Sequence, residues 1–345
     1  MTQVCADHRY PVKMAHLCVV DIMNSARPAK LYIAPMMALT DRHCRFLHRM
    51  FSPKAILFTE MVTAHALIFG ERTHFLNDRS ESHPVVFQIG GSDADSLCVA
   101  TEIISSAGYP EVNLNVGCPS DRVKNGRFGA CLMAEPDLVA DAVKQMCKIG
   151  LPVSVKCRLG IDDLDTQPLL ERFVDKVANA GCERFYVHAR KAILGGLSPA
   201  QNRTIPPLQY DRVYALKARF PQLEIIINGG ITSALALAPH LANTDGVMIG
   251  RAAYYQPEAI SEIAAVMFGD PIPDRTSIID DYIAYMKEEL NTGVSMHHMS
   301  RHLLGLYSGV SGVRQFRRTL SDQRRLRHND IGLVHEALGH IGEAA

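Results

Sequence analysis

A cysteine stands where a short apolar run ends: residues 111–116 read Glu-Val-Asn-Leu-Asn-Val, and Gly117-Cys118-Pro119-Ser120 follow. A small reactive group on the turn that leaves a strand is where α/β barrels build their chemistry. The proline behind it removes freedom from that turn. Cys118 is therefore the first candidate for catalysis. A thiol has an ordinary pKa of about 8.5 and keeps its proton at neutral pH. A second thiol in the same stretch, Cys131, does not end a strand and reads as structural.

The other apolar runs also end in polar or glycine-rich positions. The first is followed by Pro35-Met36-Met37, the second by Glu60 and the third by Gln88; the fourth carries Asn115 ahead of Cys118. The fifth run contains Lys156 and Arg158, the sixth ends in His188 and Arg190, the seventh in Asn228-Gly229-Gly230, and the eighth in Gly250-Arg251. Glycine turns after the last two strands of a barrel resemble its usual phosphate cradle, in which backbone N–H groups and a helix start face an anion. Arg251 adds charge, although each turn alone could be a plain tight loop. Gln88 and Lys156 can reach a polar heterocycle, with the backbone of residues 35–37 lying against it. An isoalloxazine ring needs amide donors and acceptors at its pyrimidine edge and a cation near N1. The plain alternative for Lys156 is a snorkelling surface lysine, but it interrupts an apolar strand and would be costly to bury unpaired. His188 reads either as a core imidazole or as a phosphate or ring contact. The histidines and cysteines match no metal-site spacing, so no metal is expected.

These residues need a scaffold that brings strand ends together. Apolar runs recur at 31–36, 56–59, 85–89, 111–116, 153–159, 184–188, 224–228 and 246–249, with helical patterns at 93–107, 136–149, 169–180 and 210–219. Strand and helix alternating in this way predict a parallel sheet, and eight units predict a closed (β/α)8 TIM barrel; a doubly wound α/β sheet is the competitor. After Arg251 the strand signal stops. Amphipathic segments at 278–290, 299–307 and 313–320 predict an all-helical C-terminal domain. The expected division is an N-terminal extension over 1–28, a catalytic barrel over 29–260, a helical domain over 261–335 and a tail over 336–345. At 345 residues and 47% apolar the chain can bury a large core. Nine scattered cysteines with no C-x-x-C pair suggest reduced thiols and a cytoplasmic protein. No stretch approaches the roughly 18 to 20 apolar residues of a membrane span. The 36 basic and 36 acidic side chains cancel, which argues against an indiscriminate polyanion binder but permits a local basic surface.

The combined motifs resemble the tRNA-dihydrouridine synthases, and within them the A-type bacterial enzymes. The resemblance rests on Ala34-Pro35-Met36-Met37 with Thr40-Asp41-Arg42, Thr59-Glu60-Met61, and the long segment 113–133 with Gly117-Cys118-Pro119-Ser120 and Gly126-Arg127-Phe128-Gly129-Ala130-Cys131-Leu132-Met133. It continues through His188-Ala189-Arg190-Lys191, Gly196-Leu197-Ser198-Pro199, Asn228-Gly229-Gly230 and Gly250-Arg251, and covers residues 28–330. It implies a flavin barrel with a helical domain that reduces uridine in tRNA to 5,6-dihydrouridine, with bound FMN and with NADPH as hydride donor. By motif, Pro35, Met36 and Met37 lie along the FMN, Gln88 and Lys156 contact its ring, and His188, Asn228, Gly229, Gly230, Gly250 and Arg251 hold its phosphate. Cys118 becomes the proton donor to C5 of the base, opposite the hydride delivered to C6. Asn115 lies beside that base, and Arg190 and Lys191 help seat the nucleotide. The A-type likeness points to D-loop positions 20 and 20a.

An RNA substrate also calls for phosphate contacts. Six arginines, Arg314, Arg317, Arg318, Arg324, Arg325 and Arg327, surround a single acid, Asp322. Arg314, Arg317 and Arg318 recur at helical spacings of three and four and so share a face that can meet an RNA backbone. Recognition would then rest on shape and phosphates, with neither DNA nor a membrane as partner. A barrel that reduces or oxidises a free pyrimidine, as dihydroorotate dehydrogenases do, is the alternative; the arginine-rich tail and the Arg190-Lys191 loop argue against it.

Overall fold

The computed structural model describes residues 28–77, 84–120 and 126–342; the expected N-terminal extension falls almost wholly outside them. Eight barrel strands run in chain order: β1 (Lys30–Ile33), β2 (Leu57–Phe58), β3 (Val85–Gly90), β4 (Val112–Val116), β5 (Val153–Arg158), β6 (Arg184–His188), β7 (Glu224–Asn228) and β8 (Gly246–Ile249). Each pairs in parallel with its neighbours from β2 through β8, and β8 pairs back onto β1. The ring closes between β1 and β2 through a bridge from Tyr32 to Ile56, where the Ile33 N–H donates to the Ile56 carbonyl at 2.9 Å. A two-residue piece, Val62–Thr63, continues β2 past a break and pairs with the end of β3.

Helices alternate with these strands as expected: α1 (Arg42–Phe51), α2 (Ala64–Phe69), α3 (Arg72–Leu76), α4 (Ala94–Ser106), α5 (Pro136–Cys147), α6 (Gln167–Asn179), α7 (Tyr210–Arg219) and α8 (Leu237–Asn243), then α9 (Arg251–Tyr255) and α10 (Glu258–Phe268). Their starts are written in the sequence. Asp41 and Asp93 accept hydrogen bonds from the first-turn N–H groups of Cys44 and Ser96, and α5 and α6 carry proline in their first turns. Four strands, β1, β2, β4 and β5, are shorter than the runs that predict them, and β1 loses the most at its carboxyl end. β1 stops at Ile33 because Pro35 has no N–H to continue the ladder, and residues 36–40 fold into a turn in which the Leu39 and Thr40 N–H groups both donate to the Met36 carbonyl.

Successive strand residues face opposite sides, so each strand feeds two cores. Outward residues such as Leu31, Phe87, Val155 and Ile225 pack under the helices, while Tyr32, Phe58, Tyr186, Val86, Ile226 and Met248 fill the middle of the barrel. Tyr186 makes edge contacts with Tyr32 and Phe58 at centroid separations of 4.9 and 5.1 Å. Toward the carboxyl ends of the strands the inward positions are Gln88, Asn115, Lys156, Arg158, His188 and Asn228.

Beyond the barrel come α11 (Arg275–Asn291), α12 (Met296–Ser300), α13 (Val313–Leu320), α14 (Gln323–Leu326) and α15 (Gly332–Gly339). α10 runs unbroken through residue 260 and ends at Gly269, a left-handed cap with φ 68°, so the chain first leaves the barrel in the proline-bearing loop after it. The helical segment docks on α1: Phe46 stacks on Tyr285 at 3.9 Å, His43 Nδ1 lies 2.6 Å from the Tyr285 hydroxyl, and Arg42 pairs with Glu289. Among the described residues no helix is long and apolar enough to cross a membrane.

Candidate active site

A cavity of about 540 Å³ opens at the carboxyl ends of the strands. Pro35, Met36, Met37, Gln88, Asn115, Cys118, Lys156, His188, Asn228, Gly229, Gly230, Gly250 and Arg251 all line it. The parallel register explains why they meet: Asn115 is level with Lys156, Arg158 with His188, and His188 with Asn228.

Cys118 is half-buried, and its Sγ donates to the Ser120 hydroxyl at 3.6 Å. Its backbone is held from two sides. The Asn115 side-chain oxygen accepts from the Gly117 and Cys118 N–H groups at 3.1 and 3.0 Å, and the Cys118 carbonyl accepts from the Ala130 N–H at 2.9 Å. Cys131 does not line the cavity; its thiol donates to the Phe128 carbonyl at 3.1 Å, and burial pushes its pKa up.

On the neighbouring strand β5 the Lys156 ammonium donates to Asn228 Oδ1 at 3.2 Å, and Asn228 in turn donates to the Met248 carbonyl at 2.7 Å. Burial, with the nearby Arg158 charge, lowers the Lys156 pKa to about 8. His188 Nδ1 is buried without a partner, and burial followed by the charges of Arg158, Lys156, Arg190 and Arg251 holds the imidazole neutral. Gly229 and Gly230 have φ values of +114° and +72°; a methyl on Gly229 would press on the His188 ring at 3.3 Å, and one on Gly230 would meet the Tyr210 hydroxyl at 2.8 Å. A methyl on Gly250 would make ordinary contact with Ala34 Cβ at 3.7 Å and Met36 Sδ at 3.9 Å.

Two arginines that the sequence reading left without a role also line the cavity, Arg158 and Arg203. Arg158 is buried, yet its guanidinium bonds only to backbone carbonyls: Gly117 at 2.9 Å, Lys191 at 3.0 Å and Asn202 at 3.0 Å. It therefore ties the Cys118 loop to both limbs of the loop after β6. Burial, joined by the charges of Arg203 and Arg190, lowers its pKa to about 10. A spacing signal existed for Arg158, two residues beyond Lys156 on the same face of β5. Arg203 had none, because it sits far along a loop and not at a strand end.

Other expected residues lie elsewhere. Arg190 donates to the Thr204 and Pro206 carbonyls, and Lys191 donates to the Asp162 carbonyl at 3.1 Å; neither lines the cavity. Arg314, Arg317 and Arg318 stand exposed on α13, with Arg317 donating to the Leu304 carbonyl at 2.9 Å. Arg325 forms a bidentate pair with Glu336, an acid outside the window that made the tail look unopposed. The helix after Gly250, α9, is only five residues long.

The donor set fits a flavin mononucleotide. Among the described residues the lining holds Lys156, Arg158, Arg203 and Arg251 and no carboxylate, so it is built for an anion. The orphaned His188 nitrogen and the bare backbone at residues 229, 230 and 250 supply the cradle, and the Gln88 amide supplies an edge for a heterocycle.

Comparison with known proteins follows the same line. Morphinone reductase shares the fold at a TM-score of 0.50 and 10% identity, covering 74% of this chain and 91% of its own. A variant of that protein in complex with tetrahydroNAD gives 0.51 at 9% identity, with 75% and 92% covered. Sequence similarity is far higher to the tRNA-dihydrouridine(20/20a) synthase of Vibrio cholerae, at 48% identity over 90% of this chain and 96% of that one. The enzyme of the same description from Xanthomonas campestris pv. campestris is 49% identical over 85% and 88%. The family model described as dihydrouridine synthase matches residues 32–340, spanning the barrel, the cysteine loop and the helical segment together, and the chain belongs to that family.

Proposed function

We propose that this chain reduces D-loop uridines of tRNA, at the positions 20 and 20a named in its relatives, to 5,6-dihydrouridine, using FMN held in the barrel and NADPH as reductant. One observation carries the reading: a half-buried thiol and a cation-rich wall, with no carboxylate among the described residues, face the same cavity.

Bound FMN supplies the hydride for C6 of the uracil. The protein does the rest. Gln88 and Lys156 hold the ring, with Pro35, Met36 and Met37 against it, and His188, Asn228, Gly229, Gly230, Gly250 and Arg251 hold the phosphate. A base presented between that wall and the β4 loop meets the Cys118 Sγ–H, which delivers a proton to C5. Asn115 fixes the loop through the Gly117 and Cys118 N–H groups, so the sulfur does not drift from the base. Pulling a uridine from its stack costs a few kcal/mol, roughly, and backbone contacts must offset it. Arg314, Arg317 and Arg318 on α13 supply those contacts, while Arg190 and Lys191 act from the loop behind the rim. The helical segment is thus the RNA-seating unit.

The test is an anaerobic single turnover. Reduced enzyme is mixed with unmodified tRNA, flavin reoxidation is followed by absorbance, and dihydrouridine is mapped in the product. Reoxidation coupled to dihydrouridine at positions 20 and 20a supports the assignment; reoxidation by free uracil or orotate but not by tRNA overturns it.

A further inference from the structure

A polar chain runs up the inside of the barrel from its floor to the cysteine loop. At the floor, Glu111 receives Arg184, the Tyr186 hydroxyl at 3.1 Å and the Ser154 hydroxyl at 2.5 Å. Ser154 Oγ accepts from the Asn113 amide at 2.9 Å, Asn113 Oδ1 accepts from the Gln88 amide at 2.8 Å, and Gln88 Oε1 accepts from the Asn115 amide at 2.9 Å. Asn115 Oδ1 ends the chain on the Gly117 and Cys118 N–H groups. Glu111, Asn113, Ser154 and Gln88 are all buried, and Asn115 borders the cavity.

The direction of this chain is dictated at both ends. A carboxylate only accepts, so Ser154 must spend its single hydrogen on Glu111 and can only accept from Asn113. Each amide above must then turn its NH2 downward and its oxygen upward. At the top, backbone N–H groups only donate, and they demand the same orientation of Asn115. Burial pushes the Glu111 carboxyl up while Arg184 opposes it. The Arg184 guanidinium and the Tyr186 and Ser154 hydroxyls all reach this carboxyl, which accepts at both oxygens.

We propose that Glu111 and Ser154 are positioning residues: acting through Asn113, they lock from below the orientation that the loop N–H groups impose from above, and so help hold which end of the Gln88 amide faces a bound flavin. The proposal rests on the flavin reading of the cavity. Gln88 can offer a flavin's pyrimidine edge only one N–H and one lone pair, and a reversed amide would exchange them. Without the Ser154 hydroxyl nothing at the floor selects between the two orientations.

Flavin affinity of the apoprotein, measured by quenching of FMN fluorescence, tests this without tRNA. Ser154→Ala should weaken FMN binding about tenfold, the scale of one hydrogen bond at a buried site. Ser154→Thr, which keeps the hydroxyl, should recover most of it. In a Gln88→Ala background the Ser154→Ala change should have no further effect, because the residue through which it acts is gone. Wild-type affinity in Ser154→Ala, or an equal loss in both backgrounds, overturns the proposal. A wild-type protein that binds no FMN overturns the flavin reading itself, and this one with it.

Discussion

Cys118 and Lys156 make opposite demands on protons. Cys118→Ala removes the acid while leaving the cofactor wall intact, so tRNA reduction should fall by at least about a hundredfold, the low end for general acid catalysis. Reduction of the bound flavin by NADPH should persist, and stopped-flow traces of the two half-reactions separate the outcomes; loss of both together would mean that the thiol serves the flavin and not the base. Lys156 is a cation whose pKa in the folded protein lies near 8, below its ordinary value of 10.5. Between those values the unfolded chain binds more protons than the folded one, so this group's contribution makes the apoprotein more stable as pH rises from about 8 to 10.5. Binding of an anionic flavin has the reverse trend. It uses the charged ammonium, so FMN affinity should decline as pH rises above 8, and Lys156→Met should flatten that decline. A titration that is flat in the wild type would contradict the placement of the ammonium beside the flavin.

At the scale of elements, two loops around the cavity share one brace. Arg158 bonds to Gly117, Lys191 and Asn202, so Arg158→Met leaves three carbonyls without their donor and should cost about 3 kcal/mol. Thermal unfolding would register that loss, and single-turnover tRNA reduction should slow as the Cys118 loop loosens. Arg158→Lys should rescue only in part, since an ammonium cannot reproduce the planar fork. An unchanged melting temperature in Arg158→Met would show that the loops stand without it. This brace also marks the limit of what the sequence reveals. β6, β7, β8, α7 and α13 have the bounds that periodicity suggests, because a buried parallel strand is a short apolar run with abrupt ends and α13 is strongly amphipathic. The cavity lining was legible for the related reason that strand ends can be counted. Arg203 was not, since the path of a long loop depends on contacts that no local pattern encodes. The floor of the polar chain was legible in principle: Glu111, Asn113 and Asn115 recur every second residue in a run that is otherwise apolar, and Ser154, Lys156 and Arg158 do the same on the next strand.

For the whole molecule, the joint between barrel and helical segment centres on Asp41. This residue caps α1 through the Cys44 N–H and also receives Arg301 at 2.5 Å and His302 Nε2 at 2.9 Å from the helical side. Burial by itself would raise its pKa, but the hydrogen bond and charge of His302, the Cys44 N–H and Arg301 outweigh that and hold the carboxyl below its ordinary value of 3.8. A depressed carboxyl stabilises the fold above its unfolded pKa and loses that contribution as pH falls below about 4. Asp41→Asn should therefore cost about 3 kcal/mol at neutral pH and reduce the acid sensitivity of unfolding below pH 4, approximately. Circular dichroism across pH 2 to 7, roughly, checks both expectations, and parallel acid curves for the two proteins would refute the second. RNA turnover should suffer more than FMN affinity in this variant, since Asp41 lies outside the cavity but anchors the segment that carries α13.

The exposed arginines proposed to seat RNA, Arg314, Arg317 and Arg318 on α13, would also govern how the substrate arrives. Chloride and buffer anions gather over such a surface, and each phosphodiester that docks sets some of them free, so part of the driving force is the entropy of displaced ions. Turnover at limiting tRNA should drop steeply between low and physiological salt, whereas turnover at saturating tRNA should barely move. An uncharged pyrimidine nucleoside, with nothing to exchange for those ions, gains no such capture and would react, if at all, at a rate indifferent to ionic strength.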